Sequence, residues 1–138
     1  MVDASLVVKR FVPEINSEAA QRWLASAHES VAPDLLFPEV GNAVWKKVRR
    51  DELTVDEAHR LVADLERVAV ESIGMRVLLA DAVVLAIEAN ITVYDATYLT
   101  LAVRLDTEVI TGDDRLARNV TARPALRRYI RAVQDFVE

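Results

Sequence analysis

Each short run of β-branched residues in this chain is separated from the next by a stretch long and periodic enough for a helix. The runs fall at residues 1–2, 31–37, 67–73, 108–111 and 129–133. Strands joined through helices run parallel, because only antiparallel neighbours can be linked by a tight turn. The pattern therefore favours a parallel sheet with helices on both faces, and functional groups in such sheets gather beyond the carboxyl ends of the strands. Only three glycines and four prolines occur, which predicts short loops and many helices.

Local signals refine this outline. Residues 5–12 suit a short helix stopped near Pro13, and Ser17 caps a predicted helix to about residue 30, with Ala20, Trp23, Leu24 and Ala27 on one face. Pro33 makes 31–37 a short or edge strand. Pro38 suits the first turn of a helix to about residue 50, with an apolar stripe of Phe37, Val40, Gly41, Val44 and Val48. Thr54 and Glu57 have capping-box spacing, which predicts a helix to about residue 66. A strand at 67–73 precedes helices at 75–90 and 93–105, the latter burying Ala96, Leu99, Ala102 and Val103. The strand at 108–111 leads through Gly112 into a short helix, and 129–133 is a last strand.

A chain of 138 residues suits one domain, here residues 1–138, and buries roughly two thirds of its unfolded surface. Cysteine is absent, which removes disulfides, thiolate metal sites and cysteine nucleophiles. No apolar run is long enough to span a bilayer, and no basic segment followed by an apolar stretch marks a signal peptide. No membrane association and a cytoplasmic location are the expectations. The net charge of −5 argues against a general nucleic-acid coat protein. Two basic groups stand out all the same: Lys46, Lys47, Arg49 and Arg50, and the arginines spread over 115–131. Each reads either as a solvated face or as a surface for a polyanion.

Most of the 22 acids fall in loops, first helical turns or polar faces. Four are placed differently. Asp3 follows the first strand and Asp113 follows the strand at 108–111, so two parallel strands deliver both carboxylates to one edge of the sheet. Asp95 starts a helix on the side that faces the sheet. Glu39 lies in a first helical turn, where a glutamate is commonplace. His28 and His59 share no motif and read as surface or boundary residues. A set of hard oxygen donors selects Mg2+ or Mn2+ over zinc, and a dication there can polarise a phosphoryl oxygen and activate water.

Four segments carry a family resemblance. They are Val2-Asp3-Ala4-Ser5, Phe37-Pro38-Glu39-Val40-Gly41-Asn42, Tyr94-Asp95-Ala96-Thr97-Tyr98, and Val109-Ile110-Thr111-Gly112-Asp113-Asp114-Arg115-Leu116. In this order and spacing the chain resembles the PIN-domain ribonucleases, and within them the VapC toxins of prokaryotic toxin–antitoxin pairs. The resemblance implies a three-layer α/β/α domain with a central, mostly parallel sheet of four to five strands. It implies an endoribonuclease whose metal ligands are Asp3, Glu39, Asp95 and Asp113, with Asp114 as a further candidate beside Asp113. Ser5, Asn42 and Thr111 would support these acids by hydrogen bonding, and the position of Arg115 suggests contact with a substrate phosphate. Mg2+, with Mn2+ as a substitute, is the implied cofactor. The implied partners are RNA, a VapB-like antitoxin and a second copy of the chain, with Trp23, Leu24 and Trp45 as candidate antitoxin contacts.

Two other classes compete. A non-catalytic PIN-like interaction module would keep the fold with an incomplete acid set. A phosphate-accepting receiver domain needs adjacent acids near the first strand and a late lysine, whereas Asp3 stands alone and no lysine follows Lys47.

Overall fold

The computed structural model describes residues 1, 3–11, 18, 22 and 30–135. The helix expected from Ser17 to about residue 30, with Trp23, Leu24 and His28, lies almost wholly outside the described residues, as does Val2. The described elements are α1 (Ala4–Phe11), β1 (Ser30–Pro33), α2 (Leu36–Arg49), α3 (Val55–Glu66), β2 (Val70–Ile73), α4 (Leu79–Ala89), α5 (Val93–Arg104), β3 (Val109–Thr111), α6 (Asp114–Thr121) and β4 (Ile130–Ala132).

All strand pairing among the described residues is parallel, as the intervening helices require. β1 pairs with β2, Ser30 opposite Val70, and β3 pairs with β4, Val109 opposite Ile130. On the other side of β3, Met1 donates to the Glu108 carbonyl at 3.1 Å and accepts from the Ile110 amide at 2.9 Å. That is the slanted pattern of a parallel neighbour, so the chain enters beside β3. The four described strands form two hydrogen-bonded pairs, and α5 packs against both β1 and β3.

Alternation along β3 places helices on both faces. Ile110 points into a core with Leu6 and Val7 of α1, Val40 and Val44 of α2, and Leu65 of α3. Val109 points the other way, toward Leu99 and Ala102 of α5 and Val120 of α6. Neighbouring residues of one strand thus serve opposite layers, which is the α/β/α arrangement.

The capping box forms as expected: the Thr54 hydroxyl accepts from the Glu57 amide at 3.1 Å, and Glu57 accepts from the Thr54 amide at 2.7 Å. Several boundaries shift. Leu36 and Phe37 belong to α2, not to the preceding strand, because Pro38 tolerates the third helical position where its missing donor costs nothing. Leu36 takes the core place expected for Phe37, which is exposed. Arg67 and Val68 extend the end of α3 by turn hydrogen bonds, so β2 starts only at Val70. The helix expected over 75–90 divides into a 3-10 turn, Met75–Val77, and α4, which ends at Asn90 in the left-handed region (φ 52°). In α5 the buried run is Ala96 to Ala102 without a break, whereas Val103 is exposed. α5 lies between the sheet and neighbouring helices, so a single stripe was too narrow an expectation.

Candidate functional site

The four acids come from four separate segments and line one cleft of about 290 Å3. Asp3 stands just before α1, Glu39 in the first turn of α2, Asp95 in the first turn of α5, and Asp113 between β3 and α6. Parallel strands bring the first and last together, since Met1 and β3 run side by side and both chains turn into helices at the same edge.

Asp3 is buried and is the most constrained of the four. Its Oδ1 accepts from the Ser5 hydroxyl at 2.6 Å and the Leu6 amide at 3.0 Å. Its Oδ2 accepts from the Thr111 hydroxyl. Ser5 in turn accepts from the Gly112 amide at 2.9 Å, and Thr111 accepts from the Asp113 amide at 2.9 Å. Two hydroxyls therefore lock the N-terminal segment to the end of β3. Gly112 completes this junction: a Cβ there would run into the Lys9 stem and come within 3.2 Å of the Ser5 hydroxyl.

Thr92, not Asp95, caps α5, with its hydroxyl accepting from the Asp95 amide at 3.1 Å. Asp113 caps α6: its Oδ1 accepts from the amides of Arg115 and Leu116 at 2.9 and 3.0 Å. Glu39 Oε2 accepts from the Tyr98 phenol at 2.7 Å. Tyr98 is a site residue that the sequence did not single out. Its buried position on the same helix as Asp95 was the available signal.

Electrostatics set these carboxyls apart. Burial raises Asp3 above the ordinary carboxylate value, despite the opposing donors from Ser5, Thr111 and Leu6, and the Asp113 charge adds to the rise. Burial also raises Glu39, opposed by the Tyr98 hydrogen bond and reinforced by Asp3 and Asp95. Asp95 is raised by burial and by Asp113, with Thr92 pulling the other way. The Tyr98 phenol is pushed strongly up by burial and by Glu39, so it stays a proton donor.

Carboxylates that repel one another across a thiol-free cleft suit a hard dication, which offsets their mutual repulsion. They are not drawn into a closed cage: no three acids or histidines among the described residues are gathered tightly enough to ligate one ion as they stand. Hydrogen bonds occupy both Asp3 oxygens and one oxygen each of Glu39 and Asp113, and leave the second oxygen of Glu39 and of Asp113 without a hydrogen bond among the described residues. The donor set fits Mg2+ or Mn2+; binding requires the side chains to draw inward.

The remaining candidates separate clearly. Asn42 lines the cleft but makes no hydrogen bond to any of the four acids among the described residues. Arg115 lines an adjoining cleft that shares Asp95 and Asp113. Asp114 lines neither cleft, and its buried Oδ1 has no partner among the described residues. His59 is exposed and distant in sequence from all of these residues. Lys46, from the basic end of α2, borders the acids. Three of the six arginines at 115–131 are engaged within the fold: Arg123 donates to the Ala89 carbonyl at the end of α4, Arg128 pairs with Asp106 at 2.5 Å, and Arg131 pairs with Glu108 at 3.1 Å.

Comparison with known proteins agrees with the fold. The family model described as "PIN domain" matches residues 1–121. The chain belongs to the PIN-domain family. It is 37% identical over 124 residues to Ribonuclease VapC3 of Pyrobaculum aerophilum, covering 88% of this chain and 95% of that protein. It is 33% identical over 117 residues to Ribonuclease VapC1 of Mycobacterium tuberculosis, covering 85% and 87%. The crystal structure of PAE2754 from Pyrobaculum aerophilum superposes with a TM-score of 0.72 at 22% identity, over 96% of this chain and 82% of that one, which supports the fold.

Proposed function

We propose that this protein is a Mg2+-dependent endoribonuclease, the toxin of a VapBC-type pair, that hydrolyses RNA phosphodiester bonds in the cytoplasm. The observation that carries this reading is the set of four acids, drawn from four segments, along one cleft. The names of the VapC relatives direct it to RNA. Asp3, Glu39, Asp95 and Asp113 would hold the metal. When bound, the ion supplies charge neutralisation at the phosphoryl oxygens and lowers the pKa of water. The chain's own residues supply position. Ser5 and Thr111 orient Asp3 by hydrogen bonds, Tyr98 keeps a proton on its own oxygen while steadying Glu39, and the α6 amides fix Asp113. Supporting donors of this kind commonly change metal affinity by about 10–100-fold when removed. A complete acid set favours catalysis over a non-catalytic binding module.

The experiment is incubation of total RNA with Mg2+ and the wild type, beside Asp3→Asn and Asp95→Asn. The expected result is cleavage by the wild type alone, and equal cleavage by all three defeats the assignment.

Two partners belong to the same reading. The exposed Trp45, with the Arg49 guanidinium 5.1 Å from its ring centroid, offers an aromatic contact for a VapB-like antitoxin on the helix that carries Glu39. A homodimer is supported by the apolar stripe Leu79, Val83 and Ile87 on α4, flanked by Val84, all exposed. Light scattering at micromolar concentration tests this, with a lone monomer counting against it.

A further inference from the structure

The acid-lined cleft continues past the acids in two directions. On one side it shares Ala4, Ser5, Ala43 and Lys46 with a cleft of about 270 Å3 bordered also by Arg50. On the other it shares Asp95, Asp113 and Leu116 with a cleft of about 490 Å3 that includes Asn90 and Asn119. The three form one groove with the acids at its middle.

The two arms differ in chemistry. In the first, Lys47 is engaged with Glu52 at 3.1 Å, whereas the side chains of Lys46 and Arg50 are exposed and make no ion pair or hydrogen bond among the described residues. Two uncommitted cations beside four acids, in a chain of net charge −5, form a local exception to the surface charge. They match a polyanion's backbone, which binds by charge without regard to sequence. The second arm has one exposed cation, Arg115, and adds the exposed amides of Asn90 and Asn119, each with a donor and an acceptor, the equipment for reading a base edge.

Building on the RNA-cleaving reading, we propose that the substrate strand lies along this groove with a division of labour. Lys46 and Arg50 hold phosphates on one side of the scissile bond. Asn90 and Asn119 contact the nucleotide on the other side and bias which bond is cut. The first arm supplies affinity, and the second supplies selection beside the single cation Arg115.

The test compares cleavage of one mixed-sequence single-stranded RNA by the wild type, Lys46→Ala/Arg50→Ala and Asn90→Ala/Asn119→Ala, with circular dichroism confirming the fold of each. The lysine-arginine variant is expected to raise KM about 10-fold, keep kcat within about twofold and leave the cut sites unchanged. The slope of log KM against log salt should fall by roughly 1.4, about 0.7 for each phosphate contact removed. Lys46→Arg/Arg50→Lys should restore the wild-type KM. The asparagine variant should redistribute cleavage among sites with no change in salt slope. Wild-type KM and salt slope in the first variant, or unchanged cut sites in the second, overturn the proposal while RNA cleavage stands. Failure of the wild type to cut RNA at all instead removes the reading on which the proposal is built.

Discussion

The phenol of Tyr98 donates to Glu39 across 2.7 Å, linking the helix that carries Asp95 to the helix that carries Glu39. The bond holds one Glu39 oxygen in a direction set by the buried face of α5. It also keeps the Glu39 proton affinity lower than burial alone would leave it.

Tyr98→Phe removes that donor while preserving the ring. Mn2+ affinity at neutral pH, measured by calorimetric titration, is expected to drop on the order of 10-fold. The pH midpoint of metal binding should move upward, since Glu39 loses the bond that favours its ionised form. An unchanged affinity and midpoint would show that Glu39 is held by other means.

Thr111→Val leaves the buried Asp3 carboxylate with one donor fewer. The expected loss of stability is about 1–3 kcal/mol in urea unfolding. Ser5→Ala removes a donor to Asp3 and the acceptor for the Gly112 amide together, so its cost should be at least as large. Losses near zero for both would contradict the role given to these hydroxyls.

Asp3, Glu39 and Asp95 all have raised pKa values, so the folded protein binds protons more readily there than the unfolded chain does. The stability they contribute is fully present below the unfolded carboxylate value near ~4 and is lost as pH rises through the raised folded values. In metal-free buffer Tm should therefore fall from mildly acidic toward neutral pH. Asp95→Asn should flatten that fall, and Mg2+ should reverse it at neutral pH. A metal-free Tm that rises steadily over the same range in the wild type would contradict the assigned shifts.

Arg123 and Arg118 lie in the same basic segment but do different things. Arg123 donates to the Ala89 carbonyl, whereas Arg118 is exposed. Arg123→Ala should cost about 1–2 kcal/mol, and Arg118→Ala should stay within about 0.5 kcal/mol. Equal effects in thermal unfolding would mean that the helix-end contact contributes nothing.

The sequence revealed the layer order because alternating strands and helices permit few arrangements. It also placed Asp3 and Asp113 at one edge, since both follow parallel strands. Periodicity did not reveal that Leu36 replaces Phe37 in the core, because a helix start is decided by backbone donors around Pro38 as much as by apolar spacing. Nor did it find Tyr98 as a partner of Glu39, a contact between residues far apart in the chain. For the arginine-rich segment the residue types left a solvated face and a polyanion surface both open, and could not show that Arg123, Arg128 and Arg131 are committed to a helix end, Asp106 and Glu108 while Arg115 lines a cleft beside the acids.

The most direct measurement follows cleavage of one labelled RNA while Mn2+ is titrated into the wild type and Asp95→Asn from a metal-free start. The account predicts no cleavage by the wild type before metal is added and a saturable rise thereafter. It predicts at least about a 100-fold lower rate for Asp95→Asn, with weakened Mn2+ binding. Cleavage by the wild type in chelator, or equal rates for the two proteins at every Mn2+ concentration, would contradict a carboxylate-held metal as the centre of this site.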